Sequence, residues 1–304
     1  MNQLTLVSRP SCDICIDQAE RGGFRDRTRG PYRQRRNRRV LVSSFVYIII
    51  KGTKKGCAPM LSRRSLVLAL ACGGNLVGHA CAPVPQIEGC CLRAGEAADL
   101  DLQTIDLIPR SGDGKTDHWL GRALLRLAKT FDVNPGCGFY DDGTGGAHPG
   151  ENAFASREQK VAGTEGTVLF GQELFRHTMR RNEDGIAVLA IFAHEFGHIA
   201  QFRSGVDRSL HAGQSTVKLV ELHADFLAGF YLARRKAEIP DLRLWSAGDV
   251  IHGFGDNNFT GPIHHGTPEE RIRAMEEGYT FGGGAAPSFA TAMNVGESFV
   301  RRFS

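Results

Sequence analysis

Ile186-Ala187-Val188-Leu189-Ala190-Ile191-Phe192-Ala193-His194-Glu195-Phe196-Gly197-His198-Ile199-Ala200-Gln201 is apolar almost throughout, and its polar positions follow a pattern, H-E-x-x-H. A helix that is apolar on all sides is buried. Three ionisable groups on such a helix need partners, or their desolvation is not offset. Residues i and i+4 lie one above the other on a helix, so the imidazoles of His194 and His198 can grip one metal ion. Glu195 is turned by about 100° from His194. That places its carboxylate beside the metal, where a general base for an activated water belongs.

A catalytic zinc usually takes three protein ligands and keeps a fourth position open. The next helical pattern runs from Thr216 to Lys236, with Ser215 or Thr216 as N-cap and Pro240 as a stop. It carries Glu221-Leu222-His223-Ala224-Asp225. Glu221 and Asp225 are again i and i+4. They face the histidine pair if the two helices pack antiparallel across the connection from Gly205 to Gly213. Glu221 is the expected third ligand, with His223 as its competitor on another face. Asp225 is the expected acceptor for the free N–H of a ligand histidine, a partner that metal-bound histidines nearly always have.

H-E-x-x-H followed by a helix bearing E-x-x-x-D resembles the gluzincin metallopeptidases. Three further stretches look like the HtpX-like and CAAX-prenyl-protease-like branch, the minigluzincins. Asn152-Ala153-Phe154-Ala155 resembles that family's edge strand. Thr167-Val168-Leu169-Phe170-Gly171 is similar to the strand after it, leading into a helix from Gln172 to Arg181. His265-Gly266-Thr267-Pro268-Glu269-Glu270-Arg271-Ile272 is similar to the family's H-P-x-x-x-x-R-I segment, with Gly266 where many members have Pro. The order is kept over roughly residues 115–280. The helix pattern around Glu221 with the later His-Gly-Thr also looks like bacterial neutral zinc metallopeptidases, a soluble exported group. The membrane branch carries long transmembrane helices, and this chain has none after residue 80, so that branch's substrates do not transfer. The resemblance implies an α+β domain with a small sheet, an active-site helix and a glutamate helix. It also implies one Zn2+ per chain, a peptide or protein substrate added as a strand along Asn152 to Ala155, and His265 as a candidate oxyanion donor or a structural tie.

The chain has 304 residues and a formal net charge of +4, but 13 of the Lys/Arg and four of the Asp/Glu fall in residues 1–59, so the rest nets −5. The basic stretch includes Arg33, Arg35, Arg36, Arg38 and Arg39, and the apolar run after it, Val40 to Ile50, is too short to span a bilayer. Residues 1–59 read as a disordered or non-native extension. Met60-Leu61-Ser62-Arg63-Arg64-Ser65-Leu66 then opens a charged start and an apolar run, with small residues at Gly78 to Ala80. This reads as a secretory signal of twin-arginine character, and Cys81 as a less favoured lipoprotein acceptor. The expected location is therefore periplasmic or extracellular, and no nucleic acid is expected to bind the mature domain.

Export would leave Cys81, Cys90, Cys91 and Cys137, enough for two disulfides in an oxidising compartment. Residues 81–116 read as an irregular leader and 117–304 as the metallopeptidase domain. Within it, Asp117 to Phe131 has helical spacing, and Gly136 to Gly150 reads as a loop around short strands. A capping box at Thr267 to Glu270 starts a helix that ends by Gly278, and residues 285–304 allow a short terminal helix. The rival expectation is a catalytically silent domain in which metal stabilises a binding surface. A hydrolase acting on a non-peptide amide is a third.

Overall fold

The buried H-E-x-x-H helix is the axis on which the other elements are placed. A computed structural model describes residues 89–91, 105–145, 150–181 and 184–304. The basic extension, the signal-like run and Cys81 lie outside the described residues. In chain order the elements are β1 (Gly89–Cys91), α1 (Gly114–Phe131), β2 (Gly136–Tyr140), β3 (Ala153–Ser156), β4 (Thr167–Gly171), α2 (Gln172–Arg181), α3 (Ile186–Ser204), α4 (Val206–His211), α5 (Lys218–Glu238), α6 (Trp245–His252), α7 (Pro268–Gly282) and α8 (Phe289–Val300), closed by a 3-10 turn. The class is mixed α+β. Among the described residues no helix is long and apolar enough to cross a membrane.

Every residue of α3 from Ile186 to Phe202 is buried. It starts and stops at Gly185 and Gly205, with φ of 70° and 77°, a left-handed conformation that suits glycine. At Gly185 a Cβ would also lie 2.6 Å from the Trp119 ring of α1. Helix α1 has a side-chain cap, Asp113 accepting from the Thr116 N–H at 2.7 Å. It buries Leu120, Ala123, Leu127 and Phe131, the three-and-four spacing of one helical face.

The sheet has four strands in the order β1-β3-β4-β2. β2 runs parallel to β4, while β3 is antiparallel to both β4 and β1. All of β3 and β4 is buried, and the two-residue period divides them. Ala153, Ala155, Val168 and Phe170 join the core that contains α3, whereas Phe154 and Leu169 pack with Ile105 and Tyr140 on the other face.

Two sequence expectations are corrected here. Ala153 to Ala155 is a strand but not an edge, because β1 pairs along its open side, Cys91 opposite Phe154 and Gly89 opposite Ser156. β1 comes from the stretch that reads as an irregular leader, and three residues are too few to show a strand period. Second, the disulfide expectation loses its Cys137 pairings with β1. Cys90, Ala155, Val168 and Cys137 form one row across the sheet, so Cys90 and Cys137 are about three strand spacings, or ~14 Å, apart. A disulfide needs Cα atoms within ~7 Å. Cys137 carries a free thiol, pushed up to about 12 by burial.

Helix boundaries moved as well. α7 does not end by Gly278 but runs on to Gly282. Gly278 is where α7 crosses α5 at backbone contact, and a Cβ there would lie 1.8 Å from the Phe226 carbonyl. α5 supplies the matching gap at Gly229, whose Cβ would meet the Met275 carbonyl at 1.9 Å. α5 begins at Lys218 with no side-chain cap, α1 begins three residues before Asp117, and α4 and α6 add helices the sequence did not suggest.

Candidate metal centre

Helices α3 and α5 pack so closely that a Cβ on Gly197 would lie 3.3 Å from the Ala224 Cα. That approach brings the two i, i+4 pairs together. His194 Nε2 and His198 Nε2 are 3.0 Å apart. Glu221 Oε2 lies 3.2 Å from the first, and Glu221 Oε1 lies 3.4 Å from the second. Two ring nitrogens and a carboxylate thus converge on one point, all three residues fully buried, and this cluster could hold a metal ion. Tetrahedral bonds of about 2.0–2.1 Å separate neighbouring ligand atoms by about 3.3 Å, which fits these spacings.

The surroundings fit a cation as well. Neither Glu221 oxygen has a hydrogen-bond partner, although both are buried. Each histidine directs its Nδ1 away from the centre, His194 to Asp225 Oδ1 at 2.9 Å and His198 to Gln201 Oε1 at 2.8 Å. A carboxylate or amide oxygen only accepts, so both Nδ1 atoms carry the proton and both Nε2 lone pairs point inward. Three buried carboxylates, Glu195, Glu221 and Asp225, share one buried guanidinium, Arg271. Its Nε and Nη2 grip Asp225 at 2.7 and 2.9 Å, and its Nη1 donates to the Phe254 carbonyl at 3.1 Å. With Asp225 neutralised in this way, a divalent cation balances the other two.

Glu195 is fully buried, and its two oxygens have no hydrogen-bond partner. Burial pushes its carboxyl up to about 8. Burial also works against the charge of Glu221, but the surrounding imidazoles of His198, His265 and His194 outweigh it and hold that carboxyl well below the usual carboxylate range. His265 sits beside the centre, its Nε2 4.0 Å from Glu221 Oε1. Its backbone N–H donates to Asp256 Oδ2 at 2.8 Å, while its Nδ1 has no hydrogen-bond partner. Burial lowers its basicity. His223 is turned away from the centre, with Nε2 3.0 Å from the Met293 carbonyl and Nδ1 2.9 Å from Gln201 Nε2. Asn152 holds a corner of the sheet, its carbonyl accepting from the Gly171 N–H at 2.8 Å.

The structure thus brings His194, His198, Glu195, Glu221, Asp225 and His265 together, and leaves His223 outside. Three contributors had no role in the sequence reading. Arg271 was legible only as a member of a motif. Gln201 sits three residues after His198 on the same face, a usable signal. Asp256 lies in a loop without periodicity. No protein-family model, curated protein or solved structure matches this chain.

Proposed function

We propose that this chain is a zinc-dependent peptidase of the minigluzincin type, with His194, His198 and Glu221 as metal ligands. The observation that carries the reading is Glu195. It is a buried carboxylate with two unpartnered oxygens beside a convergent two-nitrogen, one-carboxylate donor set. A metal site that only braces a fold gains nothing from an uncompensated carboxylate next to it. The donor set is that of several catalytic zinc sites. Zinc, when bound, supplies Lewis acidity that polarises a water and a peptide carbonyl.

The protein's own groups do the rest. A Glu195 oxygen takes a proton from the attacking water and delivers it to the leaving amine. A carboxylate kept out of water at that place is free to take the proton and to give it up, since neither of its oxygens is held by a hydrogen bond. Arg271 and Asp225 keep the His194 ring in one orientation. His265 is the group placed to donate a hydrogen bond to the carbonyl oxygen, since Asp256 Oδ2, 3.8 Å from its Nδ1, is too far to hold the ring proton on that nitrogen. Substrate backbone aligns on the sheet either along the outer edge of β1 or in place of β1 on β3. The signal-like run from Met60 supports action outside the cytoplasm.

The test is zinc content and broad peptide-library cleavage by the full chain. One zinc per chain, lost in Glu221→Ala but kept in His223→Ala, and cleavage that stops on chelation are expected. Zinc retained in Glu221→Ala would remove the assigned third ligand, and a zinc-loaded protein that cleaves no peptide would remove the peptidase.

A further inference from the structure

A second set of hydrogen bonds leads away from His198 and ends on two backbone carbonyls in other helices. Gln201 Nε2 is 2.8 Å from the Val220 carbonyl of α5 and 2.9 Å from His223 Nδ1. His223 Nε2 is 3.0 Å from the Met293 carbonyl of α8. Gln201 and His223 are both fully buried, so no water competes for these groups.

Carbonyls only accept, which removes the ambiguity of an amide and two imidazoles. The Met293 carbonyl requires the His223 proton on Nε2. His223 Nδ1 is then a bare acceptor and requires an N–H from Gln201. Independently, the Val220 carbonyl requires the second N–H of the same amide. Both demands turn the Gln201 carbonyl oxygen toward His198, where it can only accept the proton on Nδ1. His198 Nε2 is thereby left with its lone pair, aimed at Glu221 and His194.

We propose that Gln201 is a positioning residue for the metal centre, and that the Met293–His223–Gln201–His198 relay fixes the His198 tautomer and ring orientation in advance of metal binding. The role of the relay rests on the metal-centre reading, but it does not require peptidase activity. The two ligand histidines are then held by different chemistry. His194 has an ion pair behind it, whereas His198 has a neutral amide locked by two helices. α8, which supplies no ligand, is tied to the centre through Met293.

Two measurements on the full chain test this. The first is the tautomer of each histidine in chelator-treated protein, read from ring nitrogen and proton correlations by NMR. His198 is expected with its proton on Nδ1 and His223 with its proton on Nε2. A His198 proton on Nε2 would overturn the relay, whether or not the protein binds zinc. The second is Zn2+ affinity by competition with a chromophoric chelator. Gln201→Met keeps the volume and removes every hydrogen bond, and should weaken zinc by about 10- to 100-fold, the usual range for groups behind a ligand. Gln201→Glu can still accept from His198 and should keep its tautomer, but it offers no N–H to Val220 or His223 and should recover only part of the affinity. His223→Leu leaves Val220 to orient the amide and should cost less than Gln201→Met. Equal affinity in wild type and a folded Gln201→Met overturns the inference while leaving the zinc site intact. A wild type that binds no zinc overturns the metal centre itself. If Gln201→Met does not fold, the tautomer and the Gln201→Glu affinity decide, and loss of zinc in Gln201→Glu equal to that of His198→Ala would count against the relay.

Discussion

At the residue scale, the centre depends on a guanidinium that lies behind the proposed ligands, its Nη2 3.5 Å from His194 Nδ1 and 3.9 Å from Glu221 Oε2. Arg271 and Asp225 are both fully buried and form a two-pronged ion pair. Such a pair adds little over apolar packing, but removing one partner strands a buried charge at a cost of about 3–5 kcal/mol. Arg271→Met is therefore expected to lower unfolding free energy by about that much in a denaturant melt. Arg271→Lys should recover only part of it, since an ammonium lacks the planar fork. A loss below 1 kcal/mol would show that Asp225 has another compensating partner. The cluster that could hold a metal was legible from the sequence because each i, i+4 pair sits on one helix, so one-dimensional periodicity carries its geometry. The choice of Glu221 over His223 was legible by the same spacing to Asp225. The partners behind the ligands were not, because Arg271 lies 46 residues from Asp225 and only the α5–α7 crossing brings them together.

At the element scale, that crossing is set by glycines. The Gly278 Cβ position lies 1.8 Å from a backbone carbonyl, which no rotamer change can relieve. Overpacking typically costs about 1–3 kcal/mol, and more when backbone must move. Gly278→Ala should therefore cost about 3 kcal/mol or more, and should also weaken metal binding as α7 shifts Arg271. An alanine variant with an unchanged melt would show that the helices can separate freely. In the sequence this glycine reads as a helix stop, since an interior glycine and a terminal one look alike until the neighbouring helix is placed. The short β1 was invisible for the opposite reason, having too few residues for any pattern. It now fills the open side of β3. Proline at Cys90 or at Cys91 removes successive N–H groups, one of which faces β3. If substrate aligns on β3, one of these variants should cleave the peptide library faster than wild type at equal zinc content. Unchanged rates in both would place the substrate elsewhere.

At the scale of the whole molecule, the centre joins residues of separate helices, so a metal held there would be linked to the fold. A ligand that binds the folded state at about 1,000 times its Kd adds about 4 kcal/mol. For a domain of about 200 residues that is a shift of about 8–16 °C in Tm. Chelation should lower the melting temperature by that amount, and zinc should restore it. A melt indifferent to both would mean that the three residues do not hold a metal in solution. The class of the fold follows from α3, whose almost wholly apolar periphery demanded layers on every side.

The most direct test of the central claim is the rate of peptide cleavage by Glu195→Gln at a zinc content matched to wild type. Glutamine keeps the volume of Glu195 and its capacity to hydrogen-bond but cannot take up a proton. General-base catalysis contributes roughly 10²–10⁴ in rate. The account predicts a folded, zinc-loaded protein slowed by at least about 100-fold. A Glu195→Gln protein that cleaves peptides at the wild-type rate would contradict it.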